Sequence, residues 1–274
     1  MADSSNALED FTKSTFTHGG KTRDVYRQGT GPGVVVIHEM PGITPEVAAF
    51  GGRVAGAGFT AVLPVLFGEP GRPMSTSYIL ESIVPGCVSK EFSAFALRRT
   101  SPITVWLRAL GEQVHEECGG PGIGALGMCF TGGFALAMMV DDRMLAPVLS
   151  QPSLPLPITK KHRADIGIGD ADLAAVKARA ADGQCLLGLR FTGDLAVPAA
   201  RFESLRRELG DAFISVEIDS SRGNEWNIPR AAHSVVTEHF VDEPGHPTRV
   251  ALDQVMAFFT ERLKPDPPTD PPTP

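Results

Sequence analysis

The sequence predicts an α/β fold: a doubly wound, mostly parallel sheet with helices on both faces. Two observations carry this. Short apolar runs without polar alternation recur along the chain, as strands covered on both faces require. Amphipathic segments with helical spacing and readable ends lie between them, so strand and helix alternate through right-handed crossovers.

In chain order, the apolar runs are "GVVVIH" (33–38), "FTAVLPVL" (59–66), "GIGALGM" (122–128), "MLAPVLS" (144–150), "CLLGLRFT" (185–192) and "AFISVEI" (212–218). The segment "SPITVWLRALGEQVHEE" offers Ser101 as N-cap and Pro102 at the first helical position. Ile103, Trp106, Leu107, Leu110 and Val114 follow at helical spacing. "VPAARFESLRRELG" repeats the scheme between Pro198 and Gly210, with Phe202, Leu205 and Leu209 inward. "TRVALDQVMAFFTERL" (248–263) reads as a closing helix with Ala251, Val255, Phe258 and Phe259 on one side. Residues 1–263 are expected to form a single domain. Segment 67–100, rich in Gly, Pro and Ser, reads as a lid-like insertion over the carboxyl edge of the sheet, where such folds bind ligands. The proline-rich tail 264–274, "KPDPPTDPPTP", lacks the apolar residues to fold and is expected to be disordered.

A net charge of −7 with scattered basic residues argues against nucleic acid or an anionic membrane as partner. No apolar run reaches the roughly 20 residues of a membrane span. The start "MADSSNALEDFTKS" has neither the basic nor the apolar part of a secretory signal, which predicts a cytoplasmic protein. Cys87, Cys118, Cys129 and Cys185 are widely separated, as free thiols of a reducing compartment. No histidine or cysteine spacing suits a metal, and no cofactor is expected. A monomer or weak homodimer acting on a small molecule is the expected state.

Chemistry concentrates at "GMCFTGG". Cys129 follows directly on an apolar run and precedes a helical segment, the order of a nucleophile elbow. Such a turn is strained and needs small neighbours. Gly127 and the pair Gly132–Gly133 supply them, while Thr131 stands where the usual elbow has its second glycine. A small buried thiol is the competing reading. Downstream, Asp194 in "FTGDLAVP" ends a strand run, and His233 in "AAHS" follows the last one; each interval accommodates the intervening βα elements. His239 and His246 compete with His233, although His246 beside Pro247 suits a helix cap.

These three motifs resemble the Cys–Asp–His triad of the dienelactone hydrolase family, within the three-layer α/β-hydrolase fold. "VVVIHEMPGITPEV" resembles that family's segment bearing a glutamate after the first parallel strand. The resemblance spans roughly residues 16–263. It implies that Cys129 attacks an ester, lactone or thioester carbonyl, with His233 as base and Asp194 orienting it. It maps Glu39 onto the glutamate that pairs with the resting cysteine, and makes the backbone N–H groups of Met40 and Phe130 the oxyanion donors. His38 reads as structural. The family also grips a substrate carboxylate with arginines, one of them four residues after the histidine. Thr237 occupies that position here, leaving Arg98, Arg99 and Arg249 as candidate replacements. A non-catalytic or redox-responsive binding protein on the same fold is the alternative.

Overall fold

The computed structural model describes residues 7–75, 77–79, 81, 101–154 and 159–264. Most of the 67–100 insertion, including Arg98 and Arg99, and the tail beyond Lys264 lie outside them, as does Cys87.

Strands β1 (Thr12–His18), β2 (Lys21–Gln28), β3 (Gly33–Ile37), β4 (Thr60–Pro64), β5 (Ile123–Met128), β6 (Met144–Ser150), β7 (Leu186–Phe191) and β8 (Phe213–Ile218) join one sheet. Its order is β1-β2-β4-β3-β5-β6-β7-β8, with β3 to β8 parallel and the first two strands antiparallel at one edge. The six apolar runs are the six parallel strands. β1 carries mostly exposed residues and β2 mostly half-buried polar ones, so both lack the apolar signature of the rest. Gly19 and Gly20, at φ 58° and 74°, make the tight turn between them, where both residues must adopt positive φ. The indole N–H of Trp106 donates to the Lys21 carbonyl at 3.0 Å and fixes this hairpin to the body of the protein.

The helices are α1 (Pro45–Gly56), α2 (Pro102–Cys118), α3 (Gly132–Met138), α4 (Lys160–Ala164), α5 (Asp170–Ala181), α6 (Ala199–Leu209) and α7 (Pro247–Leu263). Ser101 caps α2 as expected, its hydroxyl accepting from the Thr104 N–H at 3.3 Å. Pro198 sits at the N-cap of α6, and Gly210 closes it at φ 56°. Alternate strand residues face two separate apolar layers. Val35, Ile37, Ile123 and Ala125 pack with α2, α3 and α6; Val34, Val36, Leu126 and Met128 pack with α1 and α7. That is the three-layer arrangement, and the period of two along each strand produces it.

From β3 the chain steps outward to β4, then returns to place β5 on the other side of β3. The helices after β3 and β5 therefore leave in opposite directions, opening a crevice at the carboxyl ends of these two strands. Glu39 follows β3 and Cys129 follows β5. Among the described residues no helix is long and apolar enough to cross a membrane.

Candidate active site

At the end of β5 the chain enters a 3-10 turn, Cys129–Thr131, and passes at once into α3. Cys129 has φ 54°, a left-handed conformation that costs a non-glycine residue about 1–2 kcal/mol. The turn is tight. A Cβ at Gly127 would lie 2.3 Å from the Thr131 carbonyl oxygen, and one at Gly132 would lie 2.8 Å from the Pro152 Cβ. Small residues are therefore required two before and three after the cysteine, and position 131 is free to carry a side chain. Thr131 is fully buried; its hydroxyl accepts from the Met128 N–H at 3.0 Å and donates to the Ile37 carbonyl at 2.9 Å. It thereby ties the elbow to the strand that bears Glu39. Thr131→Val keeps the shape and strands both bonds, so it should lower stability by about 1–3 kcal/mol, read as a fall in the urea midpoint.

Asp194 lies past the end of β7 in an Asx-type turn, its Oδ1 accepting from the Ala196 N–H at 2.8 Å. Its Oδ2 is 2.6 Å from His233 Nδ1. His233 comes from the long segment after β8, and the sheet brings both residues to the edge that carries Cys129. Burial alone would lower the His233 pKa. The Cys129 thiolate and the Asp194 carboxylate outweigh it and push the pKa up to about 11. The imidazolium is thus the favoured form of the His233 ring. The Cys129 thiol also meets the Ser153 hydroxyl at 3.1 Å.

Glu39, 2% exposed, is enclosed by neutral donors. Ser234 Oγ donates to it at 2.6 Å, Gln151 Nε2 at 3.2 Å, and the Thr237 hydroxyl closes on its other oxygen. In this conformation Glu39 is bonded to the histidine-bearing segment, and Cys129 to Ser153, which differs from the Glu39–Cys129 pair that the resemblance implies for the resting state. Thr237, four residues after His233, serves as a ligand of Glu39. Arg249 is engaged at the surface by Asp242 and by Asp253 at 3.0 Å. Met40 directly follows Glu39, and Phe130 lies in the 3-10 turn after Cys129.

The other histidines have separate duties. His38 is fully buried, its ring bridging the Glu39 carbonyl (2.9 Å) and the Leu66 N–H (3.0 Å); burial lowers its pKa to about 4, so it is neutral. His239 Nδ1 accepts from the backbone N–H groups of Ser234 and His233 at 3.4 and 3.5 Å, and burial lowers its pKa too. It supports the segment that presents His233. His246 N-caps α7 through Thr248.

Sequence reasoning missed Gln151, Ser153 and Ser234. Gln151 adopts φ 38° and uses its amide to join Glu39 to the Val235 N–H. Ser153 and Gln151 sit just past β6, a strand end that carries no motif; adjacency of β6 to β5 in the sheet was the one available signal.

A model of the dienelactone hydrolase family matches residues 23–171, more than half of the sequence. The chain belongs to the dienelactone hydrolase family. Membership in the dienelactone hydrolase family makes it an enzyme, a hydrolase. Solved structures agree on the fold. A dienelactone hydrolase described as putative, from Klebsiella pneumoniae subsp. pneumoniae MGH 78578, superposes with a TM-score of 0.63 at 16% identity, covering 92% of this chain and 98% of that one. The dienelactone hydrolase of Anabaena variabilis ATCC 29413 gives 0.58 at 14% identity, over 93% and 99%. A dienelactone hydrolase-like promiscuous phosphotriesterase from metagenomic libraries gives 0.56 at 16% identity, over 92% and 98%. A comparison with curated proteins finds no match.

Proposed function

We propose that this hydrolase cleaves a carboxylic ester, lactone or thioester through a Cys129–His233–Asp194 triad and an acyl-enzyme. The observation that carries the reading is the 2.6 Å bond between His233 Nδ1 and Asp194 Oδ2, on the sheet edge that bears the cysteine at its positive-φ elbow. Asp194 fixes the tautomer in which Nε2 is available to the thiol.

The reaction follows from these groups. His233 Nε2 holds the proton given up by the thiol, and the Cys129 thiolate forms a bond to the carbonyl carbon. The carbonyl π pair moves onto oxygen, toward the N–H groups of Phe130 and Met40 as oxyanion donors. The tetrahedral species collapses, and the leaving oxygen or sulfur takes the proton from His233. Water then attacks the acyl thioester while His233 accepts its proton, the C–S bond breaks, and the acid departs. Glu39, accepting from Ser234 and Thr237 on the His233 segment and from Gln151 past β6, holds the base in register. Thr237 offers no bidentate grip on a carboxylate, so a dienelactone-type acid is not singled out among esters.

A panel of nitrophenyl esters, lactones and thioesters, assayed with wild type and His233→Ala, tests this. Turnover by wild type and a loss of about 10²–10⁴ in the variant is expected. A flat panel, or equal rates in the two proteins, would refute it.

A further inference from the structure

Among the buried groups that the triad chemistry leaves unused, one is a full cation. Arg201 on α6 is 1% exposed, and it donates to four main-chain carbonyls: Asp165 (2.6 Å), Pro152 (2.8 Å), Ala196 (3.1 Å) and His162 (3.3 Å). Two of these acceptors belong to residues one step from the reacting groups. Pro152 precedes Ser153, whose N–H donates to the Cys129 carbonyl at 2.9 Å and whose hydroxyl meets the thiol. Ala196 donates its own N–H to Asp194. One guanidinium therefore spans the nucleophile side and the acid side of the site.

Carbonyl oxygens orient a guanidinium but do not cancel its charge. The anionic groups within reach of it are Asp165 ahead of α5, Asp194 after β7, and Cys129 itself when ionised. Burial lowers the Arg201 pKa, to about 10, which still leaves it charged near neutrality. The other groups facing the pair are His233, Ser153 and, across the His233 segment, Glu39 and His239. A purely structural filler at this point in the core would need no charge.

We propose that Arg201 is a positioning residue for the hydrolase reaction: a buried cation that locks the Ser153 and Asp194 loops together and favours the thiolate of Cys129. The inference rests on Cys129 being the nucleophile. A methionine of similar length removes the charge and the four bonds; a lysine restores the charge without the fork.

The test compares Arg201→Met and Arg201→Lys with wild type in two readouts. One is ester kinetics. The other is the pH dependence of Cys129 alkylation by iodoacetamide, with Cys129→Ala as the blank for other thiols. In Arg201→Met the alkylation midpoint should rise by about one pH unit or more, because a nearby opposite charge is gone. Its kcat should fall about 100-fold through lost geometry, with KM within about threefold. Arg201→Lys should restore the midpoint and recover kcat only in part. If Arg201→Met does not fold, Arg201→Lys decides: a wild-type midpoint with lowered kcat supports the proposal, and wild-type values of both overturn it. A folded Arg201→Met with unchanged midpoint and kcat overturns it as well. Should Cys129→Ala keep its esterase activity, the triad reading and the positioning role fall together, whereas wild-type behaviour of Arg201→Met beside an inactive Cys129→Ala overturns the Arg201 proposal alone.

Discussion

Cys129→Ala is expected to bring ester turnover down to background, a loss on the order of 10⁶-fold in kcat. The size follows from the role. Without the sulfur no acyl-enzyme can form, and only the oxyanion donors and binding remain to assist water. The fold should survive. Cys129 is only half-buried, its thiol meets only side chains, Ser153 and His233, and alanine tolerates φ 54° no worse than cysteine does. Thermal unfolding should therefore shift by only a few degrees. Mass spectrometry supplies the positive counterpart: a slow ester should leave its acyl group on the peptide carrying Cys129 in wild type and nowhere in the variant. Retention of a tenth of the wild-type rate would remove Cys129 from the mechanism.

Asp194→Asn should cost about 10⁴ in kcat, the penalty seen when the same swap is made in a serine-nucleophile triad. The local bonding explains why. Ala196 N–H already donates to Oδ1, so an asparagine turns its oxygen that way and points its NH₂ at His233 Nδ1. That ring nitrogen must then accept, which places the ring proton on Nε2, facing the thiol. The histidine can no longer take a proton there. The change is isosteric and Asp194 remains buried, so the protein should stay folded. Loss of the carboxylate also leaves burial less opposed, and the His233 titration should move to lower pH, read from its imidazole resonances. An Asp194→Asn enzyme within tenfold of wild type would show that the 2.6 Å bond is structural.

The parallel strands were legible because burial on both faces demands continuous apolar runs, and the helices α2, α6 and α7 because their ends carry proline and capping residues. The β1–β2 hairpin was not: "TKSTFTH" and "KTRDVYRQ" pair through their backbones at one end of the sheet, and their polar side chains look like loop. Cys129, Asp194 and His233 could be picked out because each follows a strand and is flanked by small or turn-forming residues. Gln151, Ser153, Ser234 and Arg201 depend on which distant segments meet, and no local pattern encodes that. Thr131 and Thr237 show the limit from the other side. Each reads as a departure from a motif, yet each hydroxyl is an anchor of the site, one to β3 and the other to Glu39.

Glu39 reaches Ser234 across 195 residues of chain and Thr237 across 198. The crevice is therefore stitched from the first parallel strand and from the segment after the last. No portion of the chain that omits either end holds a working arrangement, and contacts so remote in sequence are among the slowest to be made. In refolding, recovery of ester turnover is therefore expected to trail the return of helix content by circular dichroism.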